Sequence, residues 1–481
     1  MAKLMRLRGW LFLAVFLFAP VIHAQETNPP KNDPPTPPVA PYLAPLPAGG
    51  TSFLTMNSPI GGTVDVQSEG NNQPLSGVLP STLGPVVAAH NYLVPSFSAT
   101  SQLATGSSGS GFSEPANFNY LLGTLDLNHQ TNRSELLLHY TGGGMFSTYL
   151  NSAVQDLDFT YSYNWQRWSF LVGDSLDFLS ESAFGFGGAG GLEFLNGNSL
   201  FGPGGPFSGI LGPNQTIPTI IAPRLSNTLV SQIEYKVSPR STWTASAGYA
   251  TLNFFGADYV NSTNPLFQTG YNYSLSPPST IAVIYSFDDF QYTQFRQMIE
   301  DHVLELGYSR YVTGRLSFQI AAGPSVVLLR GPLTGYVNNV SWALNGTLNY
   351  KWDRTTLLFS YDHLVTGGSG VLVGAQTGQV EATVDRQLNP RWQASASLGY
   401  ASNGSLIPAA KIVGLGHYNS WYAGVRFNRQ MRASSNMFLS YEARLQALNT
   451  PTCTGLNCSS NFISHEISVG FNFGLRPVML R

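Results

Sequence analysis

Across 481 residues only 10% of the side chains are charged, against ~25% in ordinary soluble domains, while 12% are aromatic and 49 are glycine. The net charge is −2 and no basic run occurs, which excludes nucleic acid as a partner. The two cysteines have no histidine or carboxylate close in sequence, so no metal or other cofactor is expected.

The first segment reads as an export signal. Lys3, Arg6 and Arg8 precede an apolar run from Trp10 to Ala19, and Val21-Ile22-His23-Ala24 ends on a small residue suited to cleavage. The run is shorter than the ~20 residues of a membrane-spanning helix, which sets the signal reading ahead of an N-terminal anchor. No cysteine follows it, against a lipoprotein. Residues 1–24 are therefore expected to direct secretion across the inner membrane. Three cations and no anions leave with them, taking the net charge from −2 to −5.

Residues 25–48 come next as a Pro-rich segment, with nine prolines between Glu26 and Pro47. Loss of backbone donors favours extended polyproline II, so a disordered periplasmic spacer is expected ahead of a ligand for an aromatic groove. Residues 49–90 hold Gly, Ser, Asn and Pro with scattered apolar residues. They read equally as a loose periplasmic segment or as a plug inside the C-terminal domain.

From Asn91 to Arg481 the pattern changes to alternating segments of roughly ten residues. In Asp156-Leu157-Asp158-Phe159-Thr160-Tyr161-Ser162-Tyr163 the even positions are polar and the odd positions apolar. A side-chain period of two gives such a strand one wet and one greasy face. After a turn at Asn164-Trp165-Gln166, Trp168, Phe170, Val172, Leu176 and Phe178 alternate with Arg167, Ser169, Gly173, Ser175 and Asp177. The pattern recurs at Leu316–Ile320, Trp342–Tyr350, Trp392–Tyr400 and Phe438–Leu445. Aromatics cluster near segment ends, as interfacial girdles require.

The turns between paired segments are short: Ser238-Pro239-Arg240-Ser241, Ser276-Pro277-Pro278-Ser279, Val312-Thr313-Gly314-Arg315, Trp352-Asp353-Arg354 and Asn389-Pro390-Arg391. The connections at the opposite ends are expected to be longer, with Ser180–Arg224 the longest. In lipid only helices and closed barrels satisfy every backbone polar group, and no later stretch is apolar over a helical span. The expected fold is an all-β, transmembrane, antiparallel up-and-down barrel of about 18 strands over residues 91–481, with 16 as the fallback. A soluble β-sandwich is the rival, but it would need neither aromatic girdles nor turns that alternate in length. Cys453 and Cys458, in Cys-Thr-Gly-Leu-Asn-Cys, are expected to form a local disulfide in an extracellular loop.

The last segment, Ile467-Ser468-Val469-Gly470-Phe471-Asn472-Phe473, resembles the C-terminal assembly strand of Gram-negative outer-membrane porin-like barrels, and the architecture from Asn91 onward resembles the same class. Members usually end on the last aromatic, whereas this chain continues from Gly474 to Arg481. The resemblance implies outer-membrane lipid and the barrel-assembly machinery as partners, and small polar solutes as cargo.

Three functions compete. A channel for passive diffusion of ions and small polar solutes would be lined by Asp156, Asp158, Arg167, Asp177, Glu234, Lys236, Glu305, Arg315, Lys351, Glu381, Asp385, Arg391, Glu442, Arg444 and Glu466. Both signs occur, so modest selectivity is expected, set against the plainer reading that these charges pair and stabilise the wall. A surface barrel, or the outer-membrane pore of a polysaccharide-export system, is the alternative. A membrane-embedded hydrolase ranks last and no enzyme activity is expected: Asp301-His302 and Asp362-His363 are adjacent, but neighbours in a strand point to opposite faces. The Phe184–Gly188 stretch, or residues 49–90, could narrow the lumen.

Overall fold

The computed structural model describes residues 75–76, 91–106, 115–147, 151–179, 217, 223–255, 259–407, 417–432, 434–448, 462–475 and 478–479. Strands follow in chain order as β1 (Tyr92–Gly106), β2 (Ala116–Gln130), β3 (Ser134–Ser147), β4 (Ser152–Trp165), β5 (Trp168–Leu179) and β6 (Arg224–Ser238). Next come β7 (Ser241–Phe254), β8 (Ser262–Ser276), β9 (Ser279–Tyr292), β10 (Gln297–Thr313), β11 (Leu316–Gly331) and β12 (Gly335–Trp352). The last third is β13 (Thr355–Thr366), β14 (Ala375–Asn389), β15 (Trp392–Ser405), β16 (His417–Arg432), β17 (Ser435–Leu448) and β18 (Phe462–Gly474).

Each strand pairs antiparallel with the next, and β1 pairs with both β2 and β18. The sheet is thus a closed barrel of 18 strands, as the alternations predict. Closure matters because an open edge in hydrocarbon would leave a row of backbone donors and acceptors unpaired. The residues beyond Gly474 have a place in the ladder. Leu475 donates its backbone N–H to Pro95 O at 2.9 Å, and Val478–Met479 (β19) pairs with Leu93 and Tyr92.

Side-chain facing follows the period-two reading. Asp156, Asp158 and Thr160 of β4 are buried on the inner face, and Tyr163 is exposed on the outer one. Exposed Phe97, Leu121, Phe170, Leu306, Leu398 and Phe471 extend the outer apolar face to other strands. Trp165 and Trp168, exposed and paired across the β4–β5 turn, sit where a membrane girdle belongs. An apolar belt of this extent is not a surface that water covers without aggregation.

The two-residue turns join β4–β5, β6–β7, β8–β9, β10–β11, β12–β13, β14–β15 and β16–β17 at one end. Gln166 and Asp353 take φ of 33° and 51° there, the left-handed geometry that matches hairpin twist. At the other end every connection is longer than these two-residue turns, as expected, but some only slightly. Residues 148–151, 293–296 and 332–334 are short links between β3–β4, β9–β10 and β11–β12. The pattern of long loops belongs to the remaining connections.

Candidate functional site

The connection between β13 and β14, Gly367–Gly374, folds inward. Gly368, Ser369, Gly370 and Gly374 all have φ between 56° and 77°, a region glycine enters without steric cost. Val260, ahead of β8, donates its backbone N–H to Gly370 O at 2.8 Å. Tyr292 of β9 donates its hydroxyl to Gly367 O at 3.1 Å, and Leu406, after β15, donates to Gly374 O at 3.3 Å. A side chain at Gly370 would run into the ring of Phe254 on β7, and one at Gly374 into Ile299 on β10. Apart from Leu406, these partners lie three to six strands round the wall from β13, so the loop reaches across the mouth of the barrel.

Apolar contacts fix it there. Val373 joins Phe290, Tyr292, Ile299 and Val365 in one buried cluster, and Leu372 packs with Tyr418 and Ile217. Ile217 belongs to the long Ser180–Arg224 connection and donates its N–H to Ser369 Oγ at 3.3 Å. The two loops therefore meet over the lumen. Phe184–Gly188 and the cysteines Cys453 and Cys458 lie outside the described residues.

Beneath the loop lies a cavity, partly open to solvent, between β7–β10 and β12–β13. Its polar wall includes Asn264, Asp288, Asp301, Glu305 and Asn345. Each acid is met by a neutral donor: Asn264 Nδ2 on Asp288 Oδ1 at 2.9 Å, Ser325 Oγ on Asp301 Oδ1 at 2.6 Å, and Asn345 Nδ2 on Glu305 Oε1 at 3.1 Å. Two more acids continue the inner wall on β13 and β14. Gln379 Nε2 reaches Asp362 Oδ2 at 3.1 Å, and Tyr422 OH reaches Glu381 Oε1 at 2.6 Å. Among the described residues none of these five carboxylates shares an ion pair with Lys or Arg.

The opposite wall is mixed. Arg444 Nε donates to Glu442 Oε1 at 2.9 Å and its other arm lies 3.6 Å from Glu466, whose second oxygen accepts from Gln102 Nε2 at 2.5 Å. Buried charges need this kind of pairing, because an isolated one forfeits its hydration. Arg426 donates to Asn428 Oδ1 at 2.9 Å and stacks 4.0 Å over Phe438. Near it the inner face turns apolar, with Phe118, Tyr120, Leu122, Met145 and Phe438 buried together. A lumen uniformly charged or small and polar is therefore not what the residues build.

The residues singled out by sequence fall into three groups. Asp156, Asp158, Asp177, Glu234, Glu305, Asp385, Glu442, Arg444 and Glu466 are buried on the inner face, and Glu381 is partly buried beside them. Lys236 and Lys351 share that face near the turn end, where Lys236 is exposed. Arg167, Arg315 and Arg391 stand in or beside the hairpin turns, exposed at the rim. Sequence reasoning did not select Asp288 or Asp362 for the inner wall, nor Arg224 or Arg426, although strand parity carries all four. Asp301 and His302 do part: Asp301 is buried inward, and His302 Nδ1 meets Tyr285 OH at 2.9 Å on the other face. His139 pairs with Asp126 at 2.5 Å, a contact made by β2–β3 register and not by sequence adjacency.

No protein-family model matches this sequence, and no curated protein matches it. Among solved structures the chain is similar to Pseudomonas aeruginosa OpdQ at 11% identity, over 80% of this chain and 99% of that one, with a TM-score of 0.42. It is also similar to P. aeruginosa OccK2 (OpdF) in complex with glucuronate, at 10% identity over 80% and 98% with a TM-score of 0.43. For P. aeruginosa OprD the values are 9%, 80%, 96% and 0.41.

Proposed function

We propose that the protein is an outer-membrane channel for passive diffusion of ions and small polar solutes, exported by its signal segment and held in lipid by its outer apolar face. The observation that supports this best is the acidic wall under the inward loop. Asp288, Asp301, Glu305, Asp362 and Glu381 are positioned by amides and hydroxyls, which fix carboxylates without cancelling their charge. A structural wall would be expected to pair its acids with cations, as Glu442, Arg444 and Glu466 do. Carboxylates lining a path concentrate cations and repel anions when ionised, the usual basis of charge selection in pores.

Reconstitution of the purified protein in planar bilayers tests this. A salt gradient at neutral pH should give a reversal potential of the sign for cation preference. The double substitution Asp301→Asn with Glu305→Gln should move it toward zero while conductance persists. A barrel that is folded, inserted and silent would remove the channel reading. An unchanged reversal potential in the double variant would remove the acidic wall as its selectivity element.

A further inference from the structure

Ahead of β1, Leu75 and Ser76 lie inside the barrel against a site shaped to receive them. Ser76 is 1% exposed and all its polar groups are met by wall side chains. Its N–H donates to Asn272 Oδ1 at 2.9 Å, and Asn272 Nδ2 returns a bond to Ser76 Oγ at 2.6 Å. Its carbonyl accepts from Gln268 Nε2 at 2.9 Å and from Thr244 Oγ1 at 3.1 Å, and its hydroxyl also meets Thr244 Oγ1. Leu75 packs on Ala282, Ile284 and Ala321.

The wall lacks side chains where these two residues sit. A Cβ on Gly270 would overlap Ser76 Cβ, and one on Gly307 would lie 2.9 Å from Leu75 Cδ2. Polar clamp and apolar step thus come from different strands, β7–β8 and β9–β11, and fit adjacent residues of one segment.

We infer that Leu75–Ser76 is a resident ligand of the lumen, by which the segment ahead of the barrel docks inside it and narrows the path. This deepens the channel reading and rests on it for the effect on conduction, though not for the docking. The chain can make the connection: fifteen residues separate Ser76 from Tyr92, ~50 Å when extended, and β1 begins at the turn end of the barrel. Position on β10 gives the order along the wall. Ile299 touches the inward loop, Asp301 and Glu305 line the cavity, and Gly307 receives Leu75. A strand rises ~3.3 Å per residue, so the docked segment lies within ~10 Å of Glu305 along the strand. A solute passing the acidic wall meets Leu75–Ser76 next.

Cross-linking in the full chain tests the docking directly. With Cys453→Ser and Cys458→Ser as background, Ser76→Cys paired with Thr244→Cys places two sulfurs where two hydroxyls now touch. Oxidation of folded protein in membranes should give a reductant-sensitive gel shift in most molecules. Ser76→Cys with Ser440→Cys, on β17 across the barrel, should give none. Leu75→Cys with Gly307→Cys is the second pair, should the first disturb assembly. Absence of cross-link in both docking pairs, or equal cross-linking to Ser440→Cys, overturns the docking.

For the narrowing, Thr244→Val with Asn272→Ala strips the clamp and should raise single-channel conductance at least twofold. Cross-linked docking with conductance unchanged by that variant overturns the narrowing alone. A barrel that cross-links but never conducts overturns the channel reading and leaves the docking standing.

Discussion

At the scale of single residues, the alternation that the sequence displays is physically decisive because one slip moves every side chain to the wrong solvent. Phe159 and Thr160 are neighbours on β4, yet Thr160 is buried on the inner face and Phe159 faces out. Phe159→Arg is expected to lose folded barrel from membranes, since Arg at the lipid midplane costs about 2–4 kcal/mol. Thr160→Arg should assemble, because the inner face offers Asp158 and polar neighbours. Heat-modifiable migration on gels reads both, and equal behaviour would refute the facing. What parity alone left unread is inner-face chemistry that departs from it. Phe438 precedes the polar run Ser440, Glu442, Arg444 on the same face, but it is buried inward among Tyr120 and Phe118. Its ring occupies the space a side chain at Gly470 would need. Glycine in that strand looks like part of an assembly signal in sequence, and in the fold it also makes room for an aromatic.

At the scale of elements, hairpins with Pro, Asn or Gly in two-residue turns were legible because turn chemistry is local. β3 was not. Leu136-Leu137-Leu138 and Gly142-Gly143-Gly144 erase the period of two, and the strand is specified by partners on both sides. The inward loop was unreadable for a different reason. Gly367–Gly374 has the composition of any flexible surface loop, and its course depends on Phe254, Tyr292 and Ile299, more than seventy residues away in sequence. Gly370→Val tests whether that course matters. A β-branched residue at φ 73° and against Phe254 should unseat the loop at a cost of about 1–3 kcal/mol to it, not to the barrel. The expected result is unchanged heat-modifiability with raised conductance. Conductance equal to the parent would show that the loop does not set the narrowest point. The cystine proposed at Cys453 and Cys458 closes a very short ring, so reduction should shift thermal stability little. Labelling of unreduced intact cells by an impermeant maleimide would count against that bond.

At the scale of the whole molecule, the feature hardest to predict from local pattern was closure, because it depends on the first strand meeting the last. Without Tyr92–Gly106 the sheet would keep two edges in lipid. The structure pairs it through Ser96–Gly106 with Gly474–Ser464, then adds Leu475 and Val478–Met479 on the same strand. The tail beyond the last aromatic is therefore an extension of the seam and not its foundation. Truncation after Gly474 removes the Leu475 bond and the two-residue ladder while leaving the long β1–β18 register intact. Net backbone hydrogen bonds contribute about 0.5–1.5 kcal/mol each, so the loss is modest against a barrel's total. The truncated chain should reach the membrane and remain heat-modifiable, with its unfolding midpoint in denaturant lowered but present. Substituting Pro at Ser101, in the middle of the β1–β18 ladder, should instead prevent closure, because proline supplies no N–H to the seam. If truncation and Ser101→Pro abolished assembly alike, the tail would be required for closure, and the seam would have to be assigned to its last residues.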